Sequence, residues 1–376
     1  MSPKDRPEGE YRSAQHEGTP VSPPGRPKGE YRSAQREGTP VTVTVIVPVY
    51  NGAATLDRCL APLLAMQGAG EVAEIIVVDD GSTDASAGMA AALGARVVGS
   101  GGRLGPGGAR NVAARLARGD VLWFVDADVV VHDDAARILT DALRPTDVCA
   151  AFGAYDDAPP ATNFLSQYKN LIHHFHHCAG EGEAETFWAG CGAIRKGAFL
   201  EAGGFDAERY REPSIEDIEL GLRLRRRGLR ILLLPGLQGK HLKVWRMANL
   251  LRTEIFRRAL PWSRLVLSGQ GGGHTLNIRP AERWRALLAM AFLGGIPLAL
   301  AAVVPWWLEI VLLASVLVAN RKLLALFRRR RGLPFALGGV LFHQIYYLYA
   351  SVAFAWSWLA LRVVRAGGAC CSSKAR

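Results

Sequence analysis

Three short apolar runs, each closed by polar residues, restrict the first two thirds of this 376-residue chain to few folds. They are "VTVTVIVPVYN" from Val41, "AEIIVVDDGSTD" from Ala73 and "DVLWFVDAD" from Asp120. Each is apolar without alternation, the pattern of strands buried on both faces of a parallel sheet. Between them lie helical stretches at residues 53–66 and 106–118, and a shorter strand, "ARVVGS", from Ala95. This alternation predicts an open α/β sheet with its ligand at the carboxyl ends of the strands. Tyr50, Asn51, Asp79, Asp80, Asp126 and Asp128 all fall at such ends. Ser82 or Thr83 is positioned to cap the helix after the second strand.

Asp126 and Asp128 end a buried strand two residues apart, where like charges repel and unpaired burial is costly. Either water solvates them or a cation holds them. Mg²⁺ or Mn²⁺ fits the second reading, because such an ion takes one or two carboxylates and completes its shell with phosphates and water. The second acidic end, Asp79–Asp80, suits a hydrogen bond to a base or ribose, or else a helix cap. "GGRLGPGGARN" is a glycine-rich turn before a helix, suited to phosphate, with Arg103 or Arg110 to pair with it. No G-K-[ST] follows, so it is not a Walker motif.

"SIEDIELGLRLRRRG" predicts a helix from Ser214 or Ile215 with Glu216 and Asp217 in its first turn. Two readings stand side by side: acids complementing the helix dipole, or a general base. His173 and His177 are i, i+4 on a probable helix but lack the Glu of HExxH, which favours a helix at an interface over a zinc pair. His241 follows a strand and reads as a third metal ligand or a surface residue.

Charge is divided along the chain. Residues 41–245 carry 20 Lys/Arg against 25 Asp/Glu, whereas residues 246–376 carry 18 against 3. The basic third is also the apolar third. Residues 284–320 hold only Arg285 and Glu309 as charges, and residues 335–361 hold none. Basic clusters bordering long apolar runs indicate a membrane rather than nucleic acid. Residues 1–40 contain a twofold repeat, "RPEGEYRSAQHEGTPV" and "RPKGEYRSAQREGTPV", with almost nothing to bury, and read as a disordered tail. The scattered Cys59, Cys149, Cys178 and Cys191 predict reduced thiols.

Taken in order, "VTVIVPVYNG", "IIVVDDGSTD", "GGARNVAA", "LWFVDADV", "WAGCGAIRKGAFLEAGGFD" and "SIEDIELGLRLRRRG" resemble a family 2 glycosyltransferase. The resemblance covers about half the chain. It implies a GT-A fold (Rossmann-like, with a mostly parallel sheet), followed here by an α-helical membrane segment. It also implies inverting transfer from a nucleotide-diphosphate sugar, a UDP- or GDP-sugar. Pro48, Tyr50, Asp80 and Arg110 match positions that hold the nucleotide, and Asp126 and Asp128 match a metal-binding D-x-D. Asp217, beside Glu216, matches the base of an E-D motif, and His241 matches a metal ligand of some members.

No Q-x-x-R-W follows the E-D motif, which separates the chain from processive polysaccharide synthases. A catalytically silent sugar-nucleotide-binding protein is the other alternative, and intact Asp126, Asp128 and Asp217 argue against it. The expected organisation is a tail (1–40), a transferase domain (41–245), an amphipathic interfacial linker (246–283), three transmembrane helices (284–365) and a second tail (366–376). The expected setting is multi-pass in the cytoplasmic (inner) membrane with the catalytic domain facing the cytosol, acting on a lipid or lipid-linked acceptor.

Overall fold

The computed structural model describes residues 41–178, 180, 182–270 and 280–372, with side chains described up to residue 363. The repeat-bearing tail at 1–40 therefore lies outside the described residues. In chain order the sheet-bearing part comprises β1 (Val43–Val49), α1 (Ala53–Gly68), β2 (Glu74–Asp79), α2 (Ser86–Ala92), β3 (Arg96–Gly99), α3 (Gly105–Leu116), β4 (Val121–Val125), β5 (Val129–Val131) and α4 (Ala135–Ala142). It continues with β6 (Val148–Tyr155), α5 (Phe164–Cys178), β7 (Gly182–Glu183), β8 (Cys191–Arg195), α6 (Lys196–Glu201), α7 (Glu216–Arg226) and β9 (Arg230–His241). The strands form one sheet in the order β3-β2-β1-β4-β8-β6-β9-β5, with β7 beside β9.

The half built from the three apolar runs, β3-β2-β1-β4, is parallel throughout. Beyond β4 the sheet is mixed: β8 runs antiparallel to both β4 and β6, while β9 is parallel to β6. Alternate residues of each central strand enter different cores. Val45, Val47 and Trp123 pack with Leu56, Leu60 and Leu139 on one face. Ile46 and Phe124 pack with Phe152, Phe187 and Phe199 on the other. Double-sided burial explains why these strands are apolar at every position. The chain reverses direction across the sheet between β1 and β4, opening a crevice at their carboxyl ends.

The predicted cap of α2 is not formed. The helix begins at Ser86, and its Ala85 N-cap makes no side-chain cap bond. Ser82 and Thr83 are engaged elsewhere: Ser82 Oγ accepts the Asn51 N–H at 3.0 Å and Asn51 Oδ1 accepts the Thr83 N–H at 2.8 Å. They tie the ends of β1 and β2 together instead.

After β9 come α8 (Met247–Arg252), a π-helical stretch (Thr253–Ala259), α9 (Leu260–Leu267), α10 (Pro280–Leu300), α11 (Trp306–Ala319) and α12 (Arg321–Ser372). The connector packs on the sheet-bearing part, with Leu265 buried against Tyr210, Ile215 and Leu222, while Phe256 is exposed. Helix α5 joins the two regions: its Tyr168, Leu171 and Ile172 share a core with Phe292, Val316, Phe327 and Val340.

Three membrane-spanning helices are expected, and the structure differs. One helix, Pro280–Leu300, is long and apolar enough to cross a membrane, or two spans result if the bent pair α11–α12 counts as one. Only 11% of the most apolar window of α10 is buried, unlike the core helix of a soluble protein. By contrast α11, with 14 residues, reaches about 21 Å against a hydrocarbon core of about 30 Å. Helix α12 is broken at Gly332, whose φ of 83° precedes Pro334. Beyond the break its polar groups turn toward the rest of the protein. Tyr168 Oη lies 2.8 Å from His343 Nδ1, Tyr347 donates to Glu282 at 2.8 Å, and Tyr349 donates to Glu254 at 3.2 Å. Arg331 donates to Gln167 Oε1 at 2.5 Å and to the Asp157 carbonyl at 2.8 Å, so the basic connector contacts the sheet-bearing part.

Candidate active site

A cavity of about 1440 Å³ follows the carboxyl ends of β1 and β4 and is lined further on by residues of the C-terminal helices. It brings together Pro48, Tyr50, Asn51, Asp80, Arg110, Asp126, Asp128, Glu216, Asp217 and His241. Asp79 alone of the expected residues stays outside the lining, and its Oδ1 accepts the Ser82 N–H at 3.0 Å. Asp79 shapes the turn because strand alternation points it away from the crevice that Asp80 faces.

Asp80 is buried, and both of its oxygens are engaged. Oδ1 accepts the Leu104 N–H at 2.9 Å and the Ser100 hydroxyl at 2.8 Å, and Oδ2 accepts the Gly105 N–H at 2.8 Å. It fixes the glycine-rich loop, and with it Arg103, whose guanidinium lies 4.2 Å from the ring centre of the exposed Tyr50. Gly105 has φ +77°, and a Cβ there would stand 2.0 Å from the Arg211 carbonyl oxygen, so only glycine fits this turn.

Arg110 is not the free phosphate-pairing cation that the loop suggests. It is 3% exposed, and its guanidinium reaches Asp126 Oδ1 at 2.5 Å and Glu216 Oε1 at 3.5 Å. It bridges the D-x-D strand end to the E-D helix, residues distant in the chain whose carboxylates would otherwise repel. Burial pushes the Asp126 carboxyl up, Arg110 opposes it, and Asp128 adds to the rise. Burial, then the neighbouring Asp217, raises Glu216 to about 7, with Arg110 again opposing.

Removing Arg110 therefore has a signed consequence. Arg110→Met leaves buried acids unpaired and should destabilise the fold by about 3 kcal/mol at neutral pH. The native state then holds a proton on Glu216 that the unfolded chain, with its carboxyl near 4.5, has released. Stability must fall as pH rises through that window, so the deficit should be smaller at pH 5 than at pH 8. Urea melts across pH measure it; a deficit independent of pH would refute the bridging role.

Asp128 and His241 converge from the loop after β4 and the end of β9, with 3.6 Å between Oδ2 and Nε2. His241 is fixed by Tyr155, whose ring stacks on it at 4.1 Å. Burial pushes Asp128 up, but His241 and then Lys243 hold it below its ordinary range, so it is ionised at neutral pH. No group of three or more His, Cys, Asp or Glu residues is arranged to hold a metal ion among the described residues, His173 and His177 included. Those two stack on each other and against Trp188.

Asp217 sits in the first turn of α7 with its carboxylate oriented by two amides. Oδ2 accepts the Ala189 N–H at 3.1 Å and Oδ1 accepts the Ile218 N–H at 2.8 Å. Gly221 allows this approach, since a Cβ there would come within 2.2 Å of the Phe187 nitrogen. Burial raises the Asp217 carboxyl, opposed by the Ala189 N–H and Arg110. Sequence reasoning leaves out Tyr155, Lys169, Trp188, Lys243 and Arg258, all of which line the cavity. Tyr155 is visible by the strand-end rule already used; Arg258 is not, since only packing aims it inward.

The sheet order, the acidic strand ends and the E-D helix define a GT-A glycosyltransferase fold. A solved structure, the mannosyltransferase PcManGT from Pyrobaculum calidifontis in complex with GDP-Man and Mn²⁺, superposes with TM-score 0.52 at 21% identity, covering 88% of this chain and 91% of that one. Residues 44–203 match the family described as Glycosyl transferase family 2. An N-acetylglucosaminyltransferase of Rhizobium leguminosarum bv. viciae is 30% identical over 335 residues, 79% of this chain and 75% of that protein. The chain belongs to glycosyl transferase family 2. It spans 61% of another relative, protein MT1568 of Mycobacterium tuberculosis, at 28% identity. It spans 16% of the poly(ribitol-phosphate) beta-glucosyltransferase of Bacillus spizizenii, at 34% identity.

Proposed function

We propose that the chain is a membrane-bound, metal-dependent, inverting glycosyltransferase that moves one sugar from a UDP- or GDP-sugar to a lipid or lipid-linked acceptor. The observation carrying this reading is the continuity of one cavity from Asp128 and Asp217 to exposed apolar residues of α10 and α12. Pro48, Tyr50 and Asn51 receive the nucleoside, and Arg103 pairs with the diphosphate. Asp80 and Arg110 act through what they hold: the glycine-rich loop, and the Asp126–Glu216 bridge.

Asp128 and His241, with Asp126, are the residues to hold Mg²⁺ or Mn²⁺. The three are not gathered as a ready-made cluster, but carboxylate and imidazole donors of this kind suit an ion that would draw its other ligands from phosphate and water. When bound, the ion offsets charge on the departing diphosphate. Asp217 takes the proton of the acceptor hydroxyl as that oxygen bonds the anomeric carbon and the bond to diphosphate breaks. One displacement inverts the configuration. Helix α10 anchors the chain in the cytoplasmic membrane, with the transferase part on the cytosolic side, where nucleotide sugars are made.

Full-length protein incubated with lipid extract and a panel of nucleotide sugars tests the reading. Mass spectrometry should find one lipid species gaining the mass of a single sugar residue. A ladder of increments would mean a processive synthase, and donor turnover without any glycosylated lipid would remove the lipid acceptor.

A further inference from the structure

Two imidazoles of α5 begin a column of rings that ends on His241. His173 and His177 stand one turn apart on one face of the helix, with ring centres 3.9 Å apart. The next ring is Tyr155, 4.2 Å from His173, and Tyr155 stacks in turn on His241 at 4.1 Å with 8° between the planes. Strand pairing brings the last two together. Strand β6 runs parallel to β9 with Tyr155 opposite Gly239, so Tyr155 and His241, two residues on, share one face of the sheet. The far end of the column is pinned, because His177 Nδ1 lies 2.9 Å from the Gly153 carbonyl, which accepts its proton. Trp188 closes one side, standing edge-on to Tyr155 at 4.8 Å and to His177 at 5.3 Å. Gly190 makes room for it, since a Cβ there would stand 2.4 Å from the indole. Neither ring nitrogen of His173 has a partner among the described residues, so this residue offers its faces rather than a hydrogen bond. Burial lowers both imidazoles of α5, His177 to about 4, so the column is uncharged at neutral pH.

We propose that the column of His177, His173 and Tyr155 is a positioning device for His241, fixing the plane of its imidazole so that Nε2 points at the ion it shares with Asp128. The backbone already sets the distance, because the Leu242 N–H donates to the Asp128 carbonyl at 2.8 Å. What the backbone leaves free is rotation of the His241 ring about its two side-chain bonds, and the Tyr155 face removes it. The outcome is the 3.6 Å separation of Nε2 from Asp128 Oδ2. A metal-bound imidazole is ordinarily oriented by a hydrogen bond to its second nitrogen. Among the described residues no hydrogen bond reaches His241 Nδ1, and a flat face takes that role. Stacking needs the ring of Tyr155 and not its hydroxyl. The proposal rests on the metal reading above and adds the residues that aim its imidazole.

Titration of the full chain with Mn²⁺ in the presence of UDP or GDP, read by electron paramagnetic resonance of the free ion, measures the affinity without turnover. Tyr155→Leu should weaken Mn²⁺ binding about tenfold, the loss typical of a group that orients a ligand, while Tyr155→Phe should stay within about twofold of wild type. His173→Phe should likewise be tolerated, and His173→Ala should lose less than Tyr155→Leu. In a His241→Ala background Tyr155→Leu should cost nothing further, because a ring that is absent needs no aiming. Thermal melts report whether each variant is folded, and if Tyr155→Leu does not fold, His173→Ala carries the same cycle from one ring further away. If the wild type holds no Mn²⁺ with either nucleotide, the metal reading itself fails. If it does hold the ion, but the loss is as large without His241 as with it, or Tyr155→Phe loses as much as Tyr155→Leu, the positioning proposal fails alone.

Discussion

Asp217→Asn should lower kcat by about 10²–10⁴-fold while costing no more than about 1 kcal/mol of stability. The two readings of this residue separate here. An acid that only complements the dipole of α7 loses a small stabilising term when neutralised and leaves turnover nearly intact. A base loses its function, because an amide accepts no proton. Asn keeps one acceptor oxygen for the Ala189 N–H and loses the bond from the Ile218 N–H, the source of that stability cost, so the helix start should survive. The pH profile adds a second check. Burial raises the Asp217 carboxyl above its ordinary 3.8, and Glu216 beside it rises to about 7. The acid limb of kcat/KM should therefore lie above 3.8, with activity lost as pH falls through it, and it belongs to the pair rather than to either residue. It should move in the Asn variant, where Glu216 alone still titrates and without the charge of Asp217 that helps raise it. A stable variant with more than a tenth of the wild-type kcat would remove the base assignment and point to an acceptor oxygen that is already ionised.

Asp128→Asn should abolish turnover and weaken Mn²⁺-dependent donor binding by at least roughly a hundredfold, beyond the loss typical of an outer-shell partner. Asp128 is ionised without help from a cation, because His241 and Lys243 overcome the effect of its burial. Asn fits the same space, so the sheet should be unaffected. Calorimetric titration of a UDP- or GDP-sugar with and without Mn²⁺ separates loss of the ion from loss of the nucleoside contacts. Turnover that persists in the variant, or wild-type activity that resists EDTA, would end the assignment of Asp126, Asp128 and His241 to a metal.

The parallel half of the sheet was legible because double-sided burial leaves a local mark, unbroken apolar runs closed by polar residues. The E-D helix was legible for a similar reason, since its acids and arginines sit at opposite ends of one short segment. The helical third was legible only in part. Residues 335–361 have the composition of a span and belong to a bent helix pair that can count as one, but their His343, Tyr347 and Tyr349 meet Tyr168, Glu282 and Glu254. A hydropathy average has no term for a partner 175 positions away.

By itself the sequence determined the strands, the acids at their ends and the family, all of which depend on spacing within about ten residues. Only the tertiary structure decided which of those charges are free. It committed Arg110 to Asp126 and Glu216, and gave both oxygens of Asp80 to backbone and hydroxyl donors. The reason is electrostatic: a charge is spent or available according to what lies within about 4 Å of it, and the fold sets those distances between residues far apart in the chain.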